Sequence, residues 1–336
     1  MRKFIYIFLI FITFNKSFSQ DLLGQKNTIE ITQNWFFERS EFKEPERKEI
    51  KVFDKKGRLV KDIEFGFHHN VNLKLIGNIR SYEYQKNKLI SAKTYASGTD
   101  FKNNQIQFYW NYFYENSRKK KTVSNHSNCE YKYDQKNRLK ECLISNWNSE
   151  IKRFSFKYNS DNQIIEKTQF NGDNIKNWTS IYTKKGDTLI SKQYLFNHPK
   201  DNDTTITTIK EVFKNNRLIF SESNDFGISK KRYIYNDKKQ LVSVFSKVFD
   251  ETEKELKTEM DYFLNGVIKQ IRKYELENKN WVLKQRTDFE INGKKSILNT
   301  KETENINEIL INREKLATTS HNSNGCVYSC LDALHS

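Results

Sequence analysis

Proline is almost missing from this chain: 336 residues contain two, with 11 glycines, four cysteines and two methionines. That scarcity excludes collagen-like and Pro/Gly-rich linker sequences. After residue 19 no apolar run approaches the length of a transmembrane helix. Catalytic signatures are missing too. No Gly-rich phosphate loop and no GxSxG elbow occurs, and among six histidines only His68 and His69 are adjacent, outside any HExxH helix and at no metal-ligand spacing with cysteine. The reading is therefore non-enzymatic, with no cofactor and no metal expected. A dispersed carboxylate pair of the glycosidase kind is the one catalytic arrangement compatible with such a sequence.

What is present reads as strand. Aromatic residues make up 14% of the chain, while a mean hydropathy of −0.84 suits a thin sheet better than a thick globular core. The stretch 129–142, CEYKYDQKNRLKEC, shows the unit: aromatics at alternate positions, a polar turn, then Arg-Leu and a return run. Nine segments repeat it, with anchor aromatics Phe53, Tyr84, Tyr133, Tyr158, Tyr182, Phe213, Tyr235, Phe263 and Phe289. Their mean spacing of about 30 residues falls in the range of modular repeats. Each unit predicts one hairpin, and short connections predict that consecutive hairpins pair in one meander. The expected fold is all-β, a single antiparallel sheet of about eighteen strands, twisted into an open spiral or a partial barrel or shell. The anchors and the Leu or Ile that follow them would pack along its concave side.

Phe53-Asp54-Lys55-Lys56-Gly57-Arg58-Leu59 and Tyr133-Asp134-Gln135-Lys136-Asn137-Arg138-Leu139 resemble the YD, or Rhs, repeat, whose signature is Tyr-Asp, a short turn, often with Gly, and Arg-Leu. In that family hairpins spiral into a cocoon-like shell, in bacterial polymorphic toxins and in adhesive teneurins, and the resemblance implies a related sheet here. The chain departs from the pattern. Only Gly57 and Gly186 sit near the turn position, Asp is absent after most anchors, and neither an autocleavage Asp-Pro motif nor a toxin-sized domain follows the last repeat.

The ends differ from the middle. Residues 1–19 carry Arg2 and Lys3, the apolar run FIYIFLIFITF, and Ser17 and Ser19 at a cleavage position, the pattern of a signal peptide; no Cys follows the site, so a lipid anchor is not expected. Residues 20–46 are expected to be lead-in strands, 47–300 the repeats, and 301–336 a helix or closing strand with a Cys-containing tail. In that last segment Ile306, Ile309, Leu310 and Arg313 fall at helical spacing and Ile311 does not.

Export makes disulfides expected among Cys129, Cys142, Cys326 and Cys330, for which three connectivities exist. A four-residue loop, 134–137, would set Tyr133 opposite Arg138 and make Cys129 and Cys142 direct cross-strand partners. Formal charge is +16, and +13 without the three basic residues of 1–19, which holds no acid. Lys and Glu interleave along most strands, so the basic excess reads as a solvated face. Arg118-Lys119-Lys120-Lys121 is the one basic run, too little for a nucleic-acid groove.

Two interruptions stand out. The aromatic run 108–114 reads as an extra hairpin buried on both sides. His198-Pro199-Lys200-Asp201-Asn202-Asp203 lacks the Gly and distal Glu of a calcium loop and reads as a solvated turn. Taken together, the sequence describes a secreted or periplasmic repeat scaffold, an interaction or cell-surface module. Its expected partner is a protein or an anionic surface polymer. The alternatives are a glycan-acting enzyme and an accessory or immunity partner of a secreted toxin.

Overall fold

A computed structural model describes residues 28–65, 76–146, 151–172, 174–198, 201–224, 228–249, 252–292 and 300–316. The strands, in chain order, are β1 (Ile29–Phe37), β2 (Arg47–Phe53), β3 (Leu59–Phe65), β4 (Ile76–Gln85), β5 (Lys88–Tyr95), β6 (Phe108–Glu115), β7 (Arg118–Ser124), β8 (Ser127–Tyr133), β9 (Leu139–Asn146) and β10 (Ile151–Tyr158). They continue as β11 (Ile164–Phe170), β12 (Lys176–Lys185), β13 (Thr188–His198), β14 (Asp201–Lys214), β15 (Arg217–Ser223), β16 (Ile228–Tyr235), β17 (Leu241–Phe249), β18 (Glu253–Tyr262), β19 (Ile268–Glu277) and β20 (Asn280–Asn292). A short helix α1 (Gly98–Lys102) lies between β5 and β6, and α2 (Thr300–Leu316) follows β20.

Every strand pairs antiparallel with its sequence neighbours, and β1 also pairs with β20, from Glu30 opposite Asn292 to Phe37 opposite Gln285. The sheet is therefore a closed barrel of 20 strands, not the open spiral or partial shell expected. The lead-in supplies one strand, β1, and that strand offers a second hydrogen-bonding edge in register with β20. Closure satisfies the two rows of backbone N–H and C=O groups that a spiral leaves bare.

The hairpin turns that carry the repeat signature lie at one rim, between an even strand and the next odd one, while the other rim has its own tight turns, such as Asn278-Lys279 between β19 and β20. Five of the signature turns use a five-residue loop. In the β2–β3 loop, Asp54 Oδ1 accepts from the N–H of Lys56 (2.8 Å) and Arg58 (3.0 Å), while Arg58 Nε donates to Asp54 Oδ2 (2.7 Å). Asp134 repeats this with Lys136 and Arg138. Asn159 and Asn236 play the same part through Oδ1. The fourth loop position has positive φ and is Gly57, Asn137, Asn162, Lys239 or Gly266. Asn thus replaces both the Asp and the Gly of the repeat, because its amide oxygen caps the same N–H groups and it tolerates the left-handed region.

This geometry corrects the loop inferred from the cysteines. The β8–β9 loop has five residues, Tyr133 faces Leu139, and a bulge beside Lys132/Tyr133 shifts the register, so that Tyr131 faces Cys142 and Cys129 faces Ile144. Cys129 and Cys142 share a face as diagonal rather than direct neighbours.

Similar bulges precede the anchors of most hairpins, and they turn each tyrosine toward the strand behind it. The hydroxyls of Tyr84, Tyr114, Tyr158, Tyr235 and Tyr262 donate to the carbonyls of Leu59, Leu89, Leu139, Leu218 and Leu241, and Tyr133 to that of Lys119, over 2.7–3.0 Å. The cation of the preceding turn lies over the ring in five cases: Arg58 on Tyr84, Lys88 on Tyr114, Arg118 on Tyr133, Arg138 on Tyr158 and Arg217 on Tyr235. Burial pushes the phenols of Tyr84, Tyr133 and Tyr262 up to about 12. Each tyrosine latches its hairpin to the one before it.

The two faces are told apart by burial. Cys129, Tyr131, Cys142, Ile144, Phe154 and Phe156 are at most 5% exposed, whereas Glu130, Lys132 and Lys157 on the alternate face of the same strands are exposed. With no described helix over that cluster, mutual crowding on the concave side accounts for its burial, so this face is the inner one. Helix α2 packs on the same face, driving Ile306 and Leu310 among Ile31, Phe53, Met260, Ile268, Ile271 and Phe289. It sits hard on the turn rim: a Cβ on Gly57 would meet the Glu302 carbonyl oxygen at 3.0 Å, and Asn307 bridges the Ile268 N–H and the Gly266 carbonyl. On the outer face, α1 covers Ile50, Val52, Ile63, Ile79 and Tyr95, with Phe101 edge-on to Tyr95 at 5.0 Å.

Candidate functional site

Away from α1 the outer face carries many ion pairs, with scattered exposed apolar residues such as Phe113, Ile181, Ile206 and Ile234. Cross-strand pairs such as Lys93–Glu83, Lys132–Glu141, Lys157–Glu166, Lys230–Glu222 and Arg272–Asp261 run around it. A lipid-facing barrel needs an uninterrupted apolar band, with each mid-membrane cation costing about 2–4 kcal/mol. The outer face has no such band among the described residues, and none of their helices is long and apolar enough to cross a membrane.

One sector departs from this pattern of pairs. Alternation places Phe220 (β15), Arg232 (β16), Phe245 (β17), Lys257 (β18) and Tyr274 (β19) on the outer face. The register sets them side by side: Phe220 opposite Arg232, Arg232 opposite Phe245, Phe245 opposite Lys257, Lys257 opposite Tyr274. Arg232 lies 5.1 Å from the Phe245 ring centre, and Lys257 lies 4.8 Å from Tyr274 and 5.3 Å from Trp281 of β20. Trp281 meets Phe245 edge-on at 6.2 Å. A groove of about 290 Å³ opens here, walled by Phe220, Phe245 and Trp281 and edged by Lys230, Arg232, Lys247 and Glu255.

Its charges are unevenly committed. Lys247 pairs with Glu253 and, at 3.3 Å, with Glu255; Lys257 pairs with Glu259 at 2.9 Å, which holds that carboxyl below its usual range. Arg232 is exposed and makes no ion pair among the described residues, whereas Lys231, opposite Ser221 and Ser246, alternates onto the inner face. Rings beside uncommitted cations can hold a ligand that is apolar on one surface and anionic at its edge.

Paired carboxylates occur elsewhere, in the wrong setting for hydrolysis. On the inner face Glu49 and Asp62 flank Lys51, at 2.5 and 3.3 Å from its Nζ, and all three are at most 1% exposed. A substrate cannot reach them. No group of three or more His, Cys, Asp or Glu suited to a metal occurs among the described residues.

The residues singled out from sequence are distributed as follows. Cys129 and Cys142 come together on the inner face, wholly buried, and neither is a free thiol. Cys326 and Cys330 lie outside the described residues, as do His68, His69, Pro199 and Lys200. Phe53, Tyr84, Tyr133, Tyr158, Phe213 and Tyr235 stand at hairpin ends beside bulges. Tyr182 sits two positions further from its turn with no bulge, and Phe263 falls in the loop, where Tyr262 takes the anchoring role. Phe289 belongs to β20, opposite Gln33 of the first strand, and starts no hairpin. Tyr114 anchors a hairpin within the aromatic run, whose outer face is open rather than buried, Phe113 being 51% exposed. The basic run is spoken for: Arg118 lies over Tyr133, Lys119 is buried against Tyr112 and Tyr131, and Lys120 pairs with Glu115. The groove itself is invisible in any one strand, since each contributes a single aromatic or cation that reads as a solvated Lys/Glu face.

Neither any protein-family model nor any curated protein matches the sequence. Among solved structures, the chain is similar to a porin-like protein from Bacteroides uniformis, at 9% identity and a TM-score of 0.37, over 79% of this chain and 97% of that one. It is also similar to a TcdB2–TccC3–Cdc42 complex, at 12% identity and a TM-score of 0.33, over 74% of this chain and 16% of that one. A third is the Photorhabdus luminescens Tc holotoxin pore, at 12% identity and a TM-score of 0.25, over 70% and 14%.

Proposed function

We propose that the chain is an exported, non-enzymatic barrel of YD/Rhs-like hairpins whose outer groove over β15–β20 binds an anionic surface polymer. The groove carries the proposal: Arg232 presents uncommitted positive charge beside the rings of Phe220, Phe245 and Trp281, on a chain whose formal charge of +16 falls only to +13 without residues 1–19. The repeat assignment rests on the latch, in which Tyr, Asp or Asn, Arg and Leu of the signature each have a contact to make. Export rests on the pattern of residues 1–19.

Purified protein should be retained on immobilised acidic polysaccharide, with retention falling as salt rises, because exposed charges are screened over about 8–10 Å at 0.10–0.15 M salt. A variant carrying Arg232→Gln should be retained less strongly. Equal retention on neutral dextran, or full retention of the variant, overturns the proposal.

A further inference from the structure

The row Phe220–Arg232–Phe245–Lys257–Tyr274 alternates ring and cation on five successive strands. Strands lie about 4.8 Å apart, so like side chains recur about every 9.6 Å, over some 19 Å in all. A linear chain of extended pyranose units advances by close to one strand spacing per sugar. Laid across the strands, it meets a ring, then a cation, then a ring.

We infer that the polymer is a linear polysaccharide with an anionic group on every second sugar, lying across β15–β19; this rests on the function proposed above. Uncharged sugars meet Phe220, Phe245 and Tyr274, and charged ones meet Arg232 and Lys257, the latter shared with Glu259. Two observations set it apart from its competitors. A uniformly charged chain puts a carboxylate against each ring. A nucleic acid carries charge on every nucleotide, which asks for cations at each step rather than at alternate ones.

Calorimetry on the whole protein, with four probes, tests this: a hyaluronan octasaccharide (alternate sugars charged), a galacturonate octamer (all charged), chitohexaose (none charged) and the oligonucleotide dT8. The hyaluronan fragment should bind at least tenfold more tightly than the others. Arg232→Gln should weaken it about tenfold, the worth of one charge-assisted hydrogen bond, and leave chitohexaose unchanged. Phe245→Leu should weaken both sugars, with an unchanged circular dichroism spectrum showing the fold intact. If the galacturonate octamer binds as well as hyaluronan and both depend on Arg232, the anionic-polymer function stands and the alternation is overturned. Tightest binding of dT8 overturns the saccharide, and no binding by any probe overturns both proposals.

Discussion

At β2, beside the closing strand β1, both faces of the sheet are covered. Phe53, Ile31 and Phe289 pack beneath α2 on the inside, while Ile50, Val52 and Ile63 lie beneath the α1 segment on the outside. Across β15 and β17, by contrast, every residue is partly exposed. The same hairpin unit builds both sectors, so the outer faces differ by what was added: α1 lies over β4 and β5, and no described helix lies over the groove. The outer wall over β15–β20, next to the closing strands, is left to carry rings and cations that packing would otherwise have to hide.

The largest effect should come from breaking the seam. Leu310→Ala empties a fully buried position of α2 and should cost about 2–5 kcal/mol in urea unfolding. Val248→Ala, on β17 in the groove sector, should cost roughly 0.5 kcal/mol. Similar losses at both sites would erase the contrast.

Next comes a charge on the inner face between the two sectors. Lys167 is buried against Phe154 and Trp178, and desolvation pulls its ammonium down to about 8. Between pH 8 and about 10.5 the unfolded chain holds a proton there that the folded chain has released, so stability rises with pH in that window, by about 3 kcal/mol in all. Above pH 10 the raised phenols of Tyr84, Tyr133 and Tyr262 act oppositely, since the unfolded chain ionises first and stability falls. Thermal unfolding between pH 7 and 11 should therefore pass through a maximum, and Lys167→Met should abolish its rising limb.

A bridge between Cys129 and Cys142 is the third expectation. Non-reducing peptide maps should join the two, and the double Ser variant should lose up to about 3 kcal/mol, the entropic worth of a short closed loop, while keeping a strand-dominated spectrum. Recovery of Cys129 joined to Cys326 or Cys330 would instead tie the tail to the β8–β9 sector.

The smallest effect concerns one latch. Tyr158→Phe strips the Leu139 carbonyl of its donor and should cost about 1 kcal/mol, with amide exchange rising first in β9 and β10.

Much of this was legible beforehand, and the gaps have physical causes. Period-two alternation and Arg-Leu returns located the hairpins, and the spacing of Ile306 and Leu310 left helix as one of two options for α2. Closure was not legible, because pairing between β1 and β20 is a matter of register between segments 250 residues apart in sequence, and no local pattern records it. The Cys129–Cys142 geometry was misread because a bulge is one extra residue with no sequence mark of its own. Tyr262 was passed over for Phe263 for the same reason. The groove escaped notice because its order lies across strands, while sequence periodicity runs along them.

The side-chain bond from Asn34 to Glu290 joins residues 256 apart. Among the described strands every pairing except β1–β20 is between neighbours along the chain, so β1 keeps one edge open until β20 arrives. The sequence at that waiting edge, IEITQNWFF, is strand-prone, aromatic and without proline. A chain stopped short of β20 would own nearly all the hairpins and latches of the finished barrel together with two bare edges. Such a fragment adds copies of itself edge to edge, and yield on refolding becomes a race between ring closure within one molecule and polymerisation among many.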